Sequence, residues 1–354
     1  MRLSDICICA ATLALLLGCE REEKRTNVDK PQPSAEAEGP ALDPALASAL
    51  AAATQPPAPA AAAGQDGPPP RGIFAPGAAD RQAAVGAPPK ITLGGTGTEP
   101  RVRLTPGFGT PQKPLAARIT VALQAAPNQP ALPVQFDVDF SAEKADDASE
   151  VRKVTGKIVA AAVGAGLRVP PDLDAGVKKL RGSSLHFELQ PNGGATGFRH
   201  EGAAGVQPEL LDLVRALRDS VATVAVPFPG EAVGSGAFWM VTSRDGMLGQ
   251  DLVSYRMVRV ESVKPEGVTL NLSTKRYATR TAFSMDGLQG NFTLDEFLST
   301  GDGTLEYPSG TSLPTSGVLQ SALAASVIPA QQPDQRGTLQ LALQAEFAAR
   351  SPAQ

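Results

Sequence analysis

Val134-Gln135-Phe136-Asp137-Val138-Asp139-Phe140 alternates apolar and polar side chains without a break. Successive side chains of a β-strand point to opposite faces, so this run has an apolar face, Val134, Phe136, Val138 and Phe140, and a wet one. The same period of two recurs at Ile119, Val121 and Leu123, at Leu185, Phe187 and Leu189, at Val268, Leu270 and Leu272, and at Leu339, Leu341 and Leu343. One buried and one solvated face is the pattern of antiparallel sheet, since parallel strands are covered on both sides. Turn-forming stretches at Pro191 to Gly194, Lys264 to Gly267 and Gln332 to Gly337 separate strand-like runs at hairpin spacing.

One segment has a clear helical period. It begins at Pro208 and carries Leu210, Leu211, Val214, Leu217 and Val221 at intervals of three and four, with Asp212, Arg215 and Asp219 expected on other faces. A shorter helix is expected near Pro171 to Leu180, with Asp172 and Asp174 close to its positive N-terminal end. The expected fold is therefore mainly β with some α: a strongly curved antiparallel sheet or open β-barrel of roughly ten strands, covered by one or two helices. This domain is expected to occupy residues 114–354.

Before it, residues 19–113 are dense in Ala, Pro and Gly and poor in large apolar side chains, as in Pro56-Pro57-Ala58-Pro59 and Gly67-Pro68-Pro69-Pro70. Such a segment buries too little surface to offset its chain entropy and is expected to be a long disordered tether. Within it, Asp43-Pro44 followed by Ala45 to Ala53 could form a short, marginal helix.

Residues 1–18 have the form of a signal peptide: Arg2, then an apolar run from Ile6 to Leu17 that is too short to span a bilayer. The run ends in Leu16-Leu17-Gly18-Cys19, which resembles the lipobox of bacterial lipoproteins. The resemblance implies signal-peptidase recognition through Leu16, Leu17 and Gly18, lipidation of Cys19, and a membrane anchor. Glu20, standing where an aspartate would mark retention in the inner membrane, favours the outer membrane. The other readings are an ordinary signal peptide cut elsewhere and a buried apolar helix.

Composition narrows the chemistry. There are 32 basic and 36 acidic residues, a formal net charge of -4, and no long basic run, so nucleic acid is not an expected partner. Cys7, Cys9 and Cys19 are the three cysteines, which leaves the body without a thiolate nucleophile, a disulfide or a cysteine zinc site. The two histidines, His186 and His200, fall on opposite faces if the turn at Asn192-Gly193 pairs Phe187 with Phe198. Asp137 and Asp139 share a wet face, and Asp295, Glu296 and Asp302 lack the spacing of a calcium loop. Ser235 lies in Gly-Ser-Gly, out of register with a nucleophile elbow. No phosphate loop or dinucleotide fingerprint is present, and no metal, cofactor or catalytic residue is expected.

The stretch from Pro227 to Trp239, Pro-Phe-Pro-Gly-Glu-Ala-Val-Gly-Ser-Gly-Ala-Phe-Trp, resembles the central Pro-x-Glu-x-Val-Gly-x-Gly-Ala-x-Trp signature of a family of uncharacterised bacterial lipoproteins of the myxobacterial type. The resemblance implies a cell-envelope location and no particular activity. In physical terms Gly234 and Gly236 permit a tight turn or bulge, and Trp239, the single tryptophan, is expected to pack in the sheet.

Two functions follow as expectations for a non-enzymatic, lipid-anchored envelope protein. In the first, the curved sheet holds an apolar ligand or lipid in a cavity lined by residues such as Phe136, Phe140, Phe187 and Leu270. In the second, the domain is a structural or protein-interaction module projected by its tether, with a filled core and an exposed apolar patch. An enzyme, the third reading, needs polar side chains gathered in a cleft.

Overall fold

The structure is a computed structural model that describes residues 68–124, 130–144, 150–247, 250–283 and 291–350. The signal peptide with Leu16, Leu17 and Gly18, the lipidation residue Cys19, the short helix after Asp43 and most of the tether lie outside the described residues.

The strands are β1 (Lys90–Gly95), β2 (Leu115–Gln124), β3 (Leu132–Lys144), β4 (Arg152–Val163), β5 (Ser184–Leu189), β6 (Ala195–Glu201), β7 (Phe238–Met247), β8 (Gln250–Lys264), β9 (Gly267–Ala278), β10 (Ala282–Phe283), β11 (Phe292–Pro308), β12 (Ser316–Pro329) and β13 (Gly337–Ala349). They form one 13-stranded antiparallel sheet in the order β1-β7-β8-β9-β11-β12-β13-β2-β3-β4-β5-β6, with β10 beside β11. Two meanders, β2 to β6 and β7 to β13, are joined where β13 pairs with β2. Val134, Phe136, Val138 and Phe140 are all buried, as their alternation requires. The three turn stretches connect β5 to β6, β8 to β9 and β12 to β13.

This order leaves β6 at one edge and β7 beside the other, so the chain between them must cross the sheet. It does so with a 3-10 turn at Pro208–Leu210 and helix α3 (Leu211–Val224), which lies over β2, β6 and β13. Helices α1 (Ala78–Gln82) and α2 (Pro171–Lys178) are shorter. After α3 the connector is fastened to both halves: Phe228 N–H donates to Asn192 O in the β5–β6 turn (2.7 Å), and Trp239 Nε1 on β7 donates to Pro227 O (3.0 Å). Gly194 lies against both Pro89, just before β1, and Pro227, so the two ends of the sheet approach one another there.

The folded body begins well before residue 114, which corrects the expected boundary. A 3-10 turn at Pro70–Gly72 meets β11, and Phe74 N–H donates to Ala278 O (2.9 Å). Phe74 and Ala79 then bury Val253 on the convex face of β8, and β1 pairs with β7. Arg244 of β7 grips Asp251 through Nε (2.6 Å) and Nη2 (2.7 Å), and holds the segment through Asp80 (3.1 Å) and Ala83 O (3.0 Å). Farther on, Phe108 enters the main core, its ring 5.1 Å from that of Phe187 and 5.9 Å from that of Phe140. A segment laid on a ready-made sheet needs a few apolar anchors instead of a core of its own, so its Pro and Gly content did not betray its order.

Two outcomes test this strap. Phe108→Ala is expected to lower stability by about 3–5 kcal/mol in urea unfolding, the cost of emptying a buried aromatic site, whereas a side chain in a free tether would cost nothing. Burial alone would raise the Asp251 carboxyl, but hydrogen bonds from Arg244 and Thr279 and the charges of Arg244 and Arg280 hold it below the usual carboxylate range. A depressed carboxylate stabilises the fold above its unfolded pKa and loses that contribution as pH falls through its folded one. As pH falls below about 4, the urea midpoint of the wild type should therefore fall more steeply than that of Asp251→Asn.

Candidate functional site

The concave face is not uniformly apolar. On β8 the inward positions run Leu252, Ser254, Arg256, Val258 and Val260, and on β9 they run Leu270, Leu272, Thr274, Arg276 and Ala278. Registration places Ser254 opposite Arg276 and Arg276 opposite Ser299 of β11, while Arg256 faces Thr274 and Thr274 faces Gly301. Ser243 on β7 pairs with Ser254, and Ser321 on β12 pairs with Gly301. These residues form a buried polar belt across five strands. Apolar clusters flank it, one around Phe136, Trp239 and Leu270 and another around Leu252, Phe297 and Leu341.

Helix α3 ends on this belt. Its last carbonyls have no partner within the helix, and strand side chains supply the donors. Arg256 Nη1 donates to Ala222 O (2.9 Å) and Thr223 O (3.0 Å), Tyr307 Oη to Val224 O (2.8 Å), and Arg276 Nη2 to Thr223 Oγ1 (2.8 Å). A guanidinium at a helix C-terminus also meets the negative end of the helix dipole. Burial pulls the Arg276 guanidinium pKa down, with Asp245 and Asp219 opposing it and Arg256 adding to it. Burial likewise pushes the Tyr307 hydroxyl well above its ordinary value, which keeps it a neutral donor. Asp219, expected on an outer face of the helix, is buried instead, and Arg218 Nε donates to its Oδ1 (2.8 Å). The helix lies in a trough, so the sheet covers a wider arc of it than an apolar stripe would need.

Five belt atoms are buried with no hydrogen-bond partner among the described residues: Ser254 Oγ, Arg256 Nε, Thr274 Oγ1, Arg276 Nη1 and Ser299 Oγ. The remaining space is small. Two hollows of about 10 Å³ each lie between α3 and the sheet, sharing Asp219, Met247, Ser321 and Leu343 as walls. Each holds at most about one water molecule.

The residues expected to line a ligand cavity are elsewhere. Phe136, Phe140, Phe187 and Leu270 belong to the main core and are at most 3% exposed. Phe187 is packed between Phe108 and Phe198, whose ring stacks on it at 4.6 Å. Phe140 and Phe187 meet Phe108, and Phe136 and Leu270 are buried in the same cluster. His186 stands opposite Arg199 and His200 opposite Leu185, so the two rings take opposite faces, and His186 Nε2 is 2.8 Å from Ser184 Oγ. Asp137 accepts two bonds from Arg118 (2.8 and 3.0 Å), Asp139 pairs with Arg350, and Asp295 pairs with Arg71 and Arg336. Among the described residues no three or more His, Cys, Asp or Glu side chains gather to hold a metal ion, and no helix is long and apolar enough to cross a membrane.

The glycines from Pro227 to Trp239 have separate tasks. A Cβ on Gly234 would lie 1.7 Å from Thr98 O, and Gly236 has φ +80°. Ser235 sits between them in a turn whose carbonyl accepts from Thr98 N–H (2.9 Å). Trp239 is fully buried in the sheet. No protein-family model matches the chain, and no curated protein matches it by sequence.

The belt was the part that sequence reasoning missed. Its signal was parity: Ser254 and Arg256 share the register of Val258 and Val260, and Thr274 and Arg276 share that of Leu270 and Leu272. Tyr307→Phe isolates one of its bonds. The Val224 carbonyl keeps the bond from Val226 N–H (2.8 Å), so losing the tyrosine bond should cost about 1 kcal/mol in chemical unfolding, with faster amide exchange confined first to the last turn of α3.

Proposed function

We propose that this protein is a lipid-anchored, non-enzymatic component of the cell envelope whose filled curved sheet serves as a protein-interaction module. The observation that carries this reading is the closed concave face. Among the described residues the two hollows between α3 and the sheet have a volume of about 10 Å³ each, whereas small-molecule sites are on the order of 300–1,000 Å³. Carriage of an apolar ligand by Phe136, Phe140, Phe187 and Leu270 would need that core to open.

The convex face supports the same reading. Phe238, Met240 and Met257 are each at least 36% exposed, and Met240 stands directly opposite Met257. Arg259 lies across from Phe238, and Lys275 lies across from Tyr255. Exposed Phe and Met with a neighbouring Arg is a composition enriched at protein contact surfaces. The anchor is the lipobox at Leu16 to Cys19, with the outer membrane as the favoured location, and the segment that follows Cys19 sets the reach of the domain.

The test is native mass spectrometry of the mature protein after exposure to lipids of the envelope, together with in situ crosslinking. The expected result is a mass without added ligand, and a discrete crosslinked protein band that Met257→Glu removes. A retained lipid in stoichiometric amount, lost on organic extraction, would overturn this reading in favour of carriage. A crosslinking pattern unaffected by Met257→Glu would remove the convex face as the contact surface.

A further inference from the structure

The convex face of β1, β7, β8 and β9 carries charge of one sign around an apolar centre. Its middle row is Thr92, Met240, Met257 and Ser273, in register across the four strands. The next row toward the strap has a lysine at each end, Lys90 opposite Thr242 and Lys275 opposite Tyr255. In the row on the other side Phe238 stands beside Arg259, and its ring lies over Gly94, where a Cβ would come within 2.0 Å of it.

Lys90, Arg259 and Lys275 are exposed and form no ion pair among the described residues. No carboxylate occupies the three rows. The adjoining outward positions that carry one are Glu261, past Arg259 on β8, and Asp302, opposite Ser273 on β11. Arg244, one row beyond Thr242, is already committed to Asp251 and Asp80. The block therefore holds three free cations and no acid, on a chain whose formal net charge is -4. Complementarity calls for a negative partner and discriminates against a basic one.

Size and relief narrow the partner further. Strands about 4.8 Å apart and outward side chains about 7 Å apart along a strand make the block roughly 14 by 14 Å. That is about a quarter of the roughly 800 Å² per partner in a standard interface, and it matches one segment, about four residues if extended or nine if helical. An anionic membrane fits less well. Lipid-binding basic clusters gather about 4–8 Lys and Arg, and Phe238, Met240 and Met257 are recessed, at 36%, 36% and 37% exposure.

Resting on the interaction-module reading above, we propose that this face docks a single acidic segment of a partner protein. One or two large apolar side chains of that segment sit on Phe238, Met240 and Met257, and its flanking carboxylates meet Lys90, Arg259 and Lys275.

The mature lipidated protein in detergent provides the test, with a fluorescent peptide of about nine residues, two central leucines flanked by glutamates, as the probe. Anisotropy should show saturable binding that weakens as salt is raised. Neutralising the three cations together, by Lys90→Gln, Arg259→Gln and Lys275→Gln, should weaken it about tenfold, a few-fold for each exposed pair, with the melting temperature unchanged. Met257→Glu should abolish binding, and a lysine-flanked counterpart of the peptide should not bind. No binding of the acidic peptide, or equal binding by the lysine-flanked one or by the triple variant, would overturn the proposal. So would a blue shift of a polarity-sensitive dye on Ser273→Cys in proteoliposomes containing phosphatidylglycerol but not in phosphatidylcholine alone, because lipid would then cover the face. In situ crosslinking separates the two readings. A band that Met257→Glu removes but the triple variant retains refutes the acidic segment and leaves the interaction module, whereas the absence of any such band removes the module itself.

Discussion

The attachment of the C-terminal end of α3 is the constraint on which the rest of the molecule depends. With β6 at one edge and β7 next to the other, the β6-to-β7 connection has to traverse the concave side. A helix is the natural way to do this, because it satisfies its own backbone in an interior that offers no water. Its last carbonyls are the exception. Arg256, Tyr307 and, just beyond the helix, Trp239 donate to Ala222, Thr223, Val224 and Pro227, and each donor comes from a strand of the second meander. The apolar side of the same helix, Leu213, Val214, Leu217 and Val221, lies in the core that also contains Phe136 and Ile119 of the first meander. The helix thereby joins two halves whose sheet hydrogen bonds meet only at β13 and β2.

A buried cationic belt is an expensive way to hold a helix. Removing guanidinium groups from water costs several kcal/mol each after relaxation, and apolar side chains of similar volume often serve stability as well or better. What polar groups add is position. Leu and Val tolerate sliding along an apolar trough, whereas two guanidinium groups that must reach particular carbonyls and a particular threonine hydroxyl accept one axial placement. The belt also interrupts the apolar face, so the cluster around Phe136 and that around Phe297 remain distinct.

Sheet, hairpins and crossover helix were legible in the sequence because each has a local periodicity. Alternation at Val134 to Phe140 and at Leu339 to Leu343 identifies the inward face whatever the neighbouring strand is, and Pro191 to Gly194 marks a turn by backbone preference alone. The strap was not legible, because Phe74 and Phe108 are isolated anchors in Pro- and Gly-rich chain and owe their burial to strands far away in sequence. The belt was half legible. Arg256 stands on the inward register of β8, but a period-two reading takes a charge at such a position as the end of the buried stretch. Only the partner on α3, more than thirty residues earlier, explains why the strand stays buried through it.

Whether the concave side could open comes down to magnitudes. Lifting α3 would break the bonds from Arg256 to Ala222 and Thr223, from Arg276 to the Thr223 hydroxyl and from Tyr307 to Val224, each about 1 kcal/mol net. It would also expose Leu213, Val214, Leu217 and Val221, at about 1.5–3 kcal/mol each. Together these approach the entire stability of a typical domain, about 5–15 kcal/mol. A guest would have to restore that amount from its own buried surface, at about 25 cal/mol per Å², before any net binding remained, and would have to offer acceptors to both guanidinium groups once the helix carbonyls had left. An ordinary apolar ligand meets the first condition only if large and does not meet the second. The same bonds that make the helix a poor lid make it a stiff strut, and a stiff, filled sheet with Phe238, Met240 and Met257 on its outer face is suited to presenting a surface.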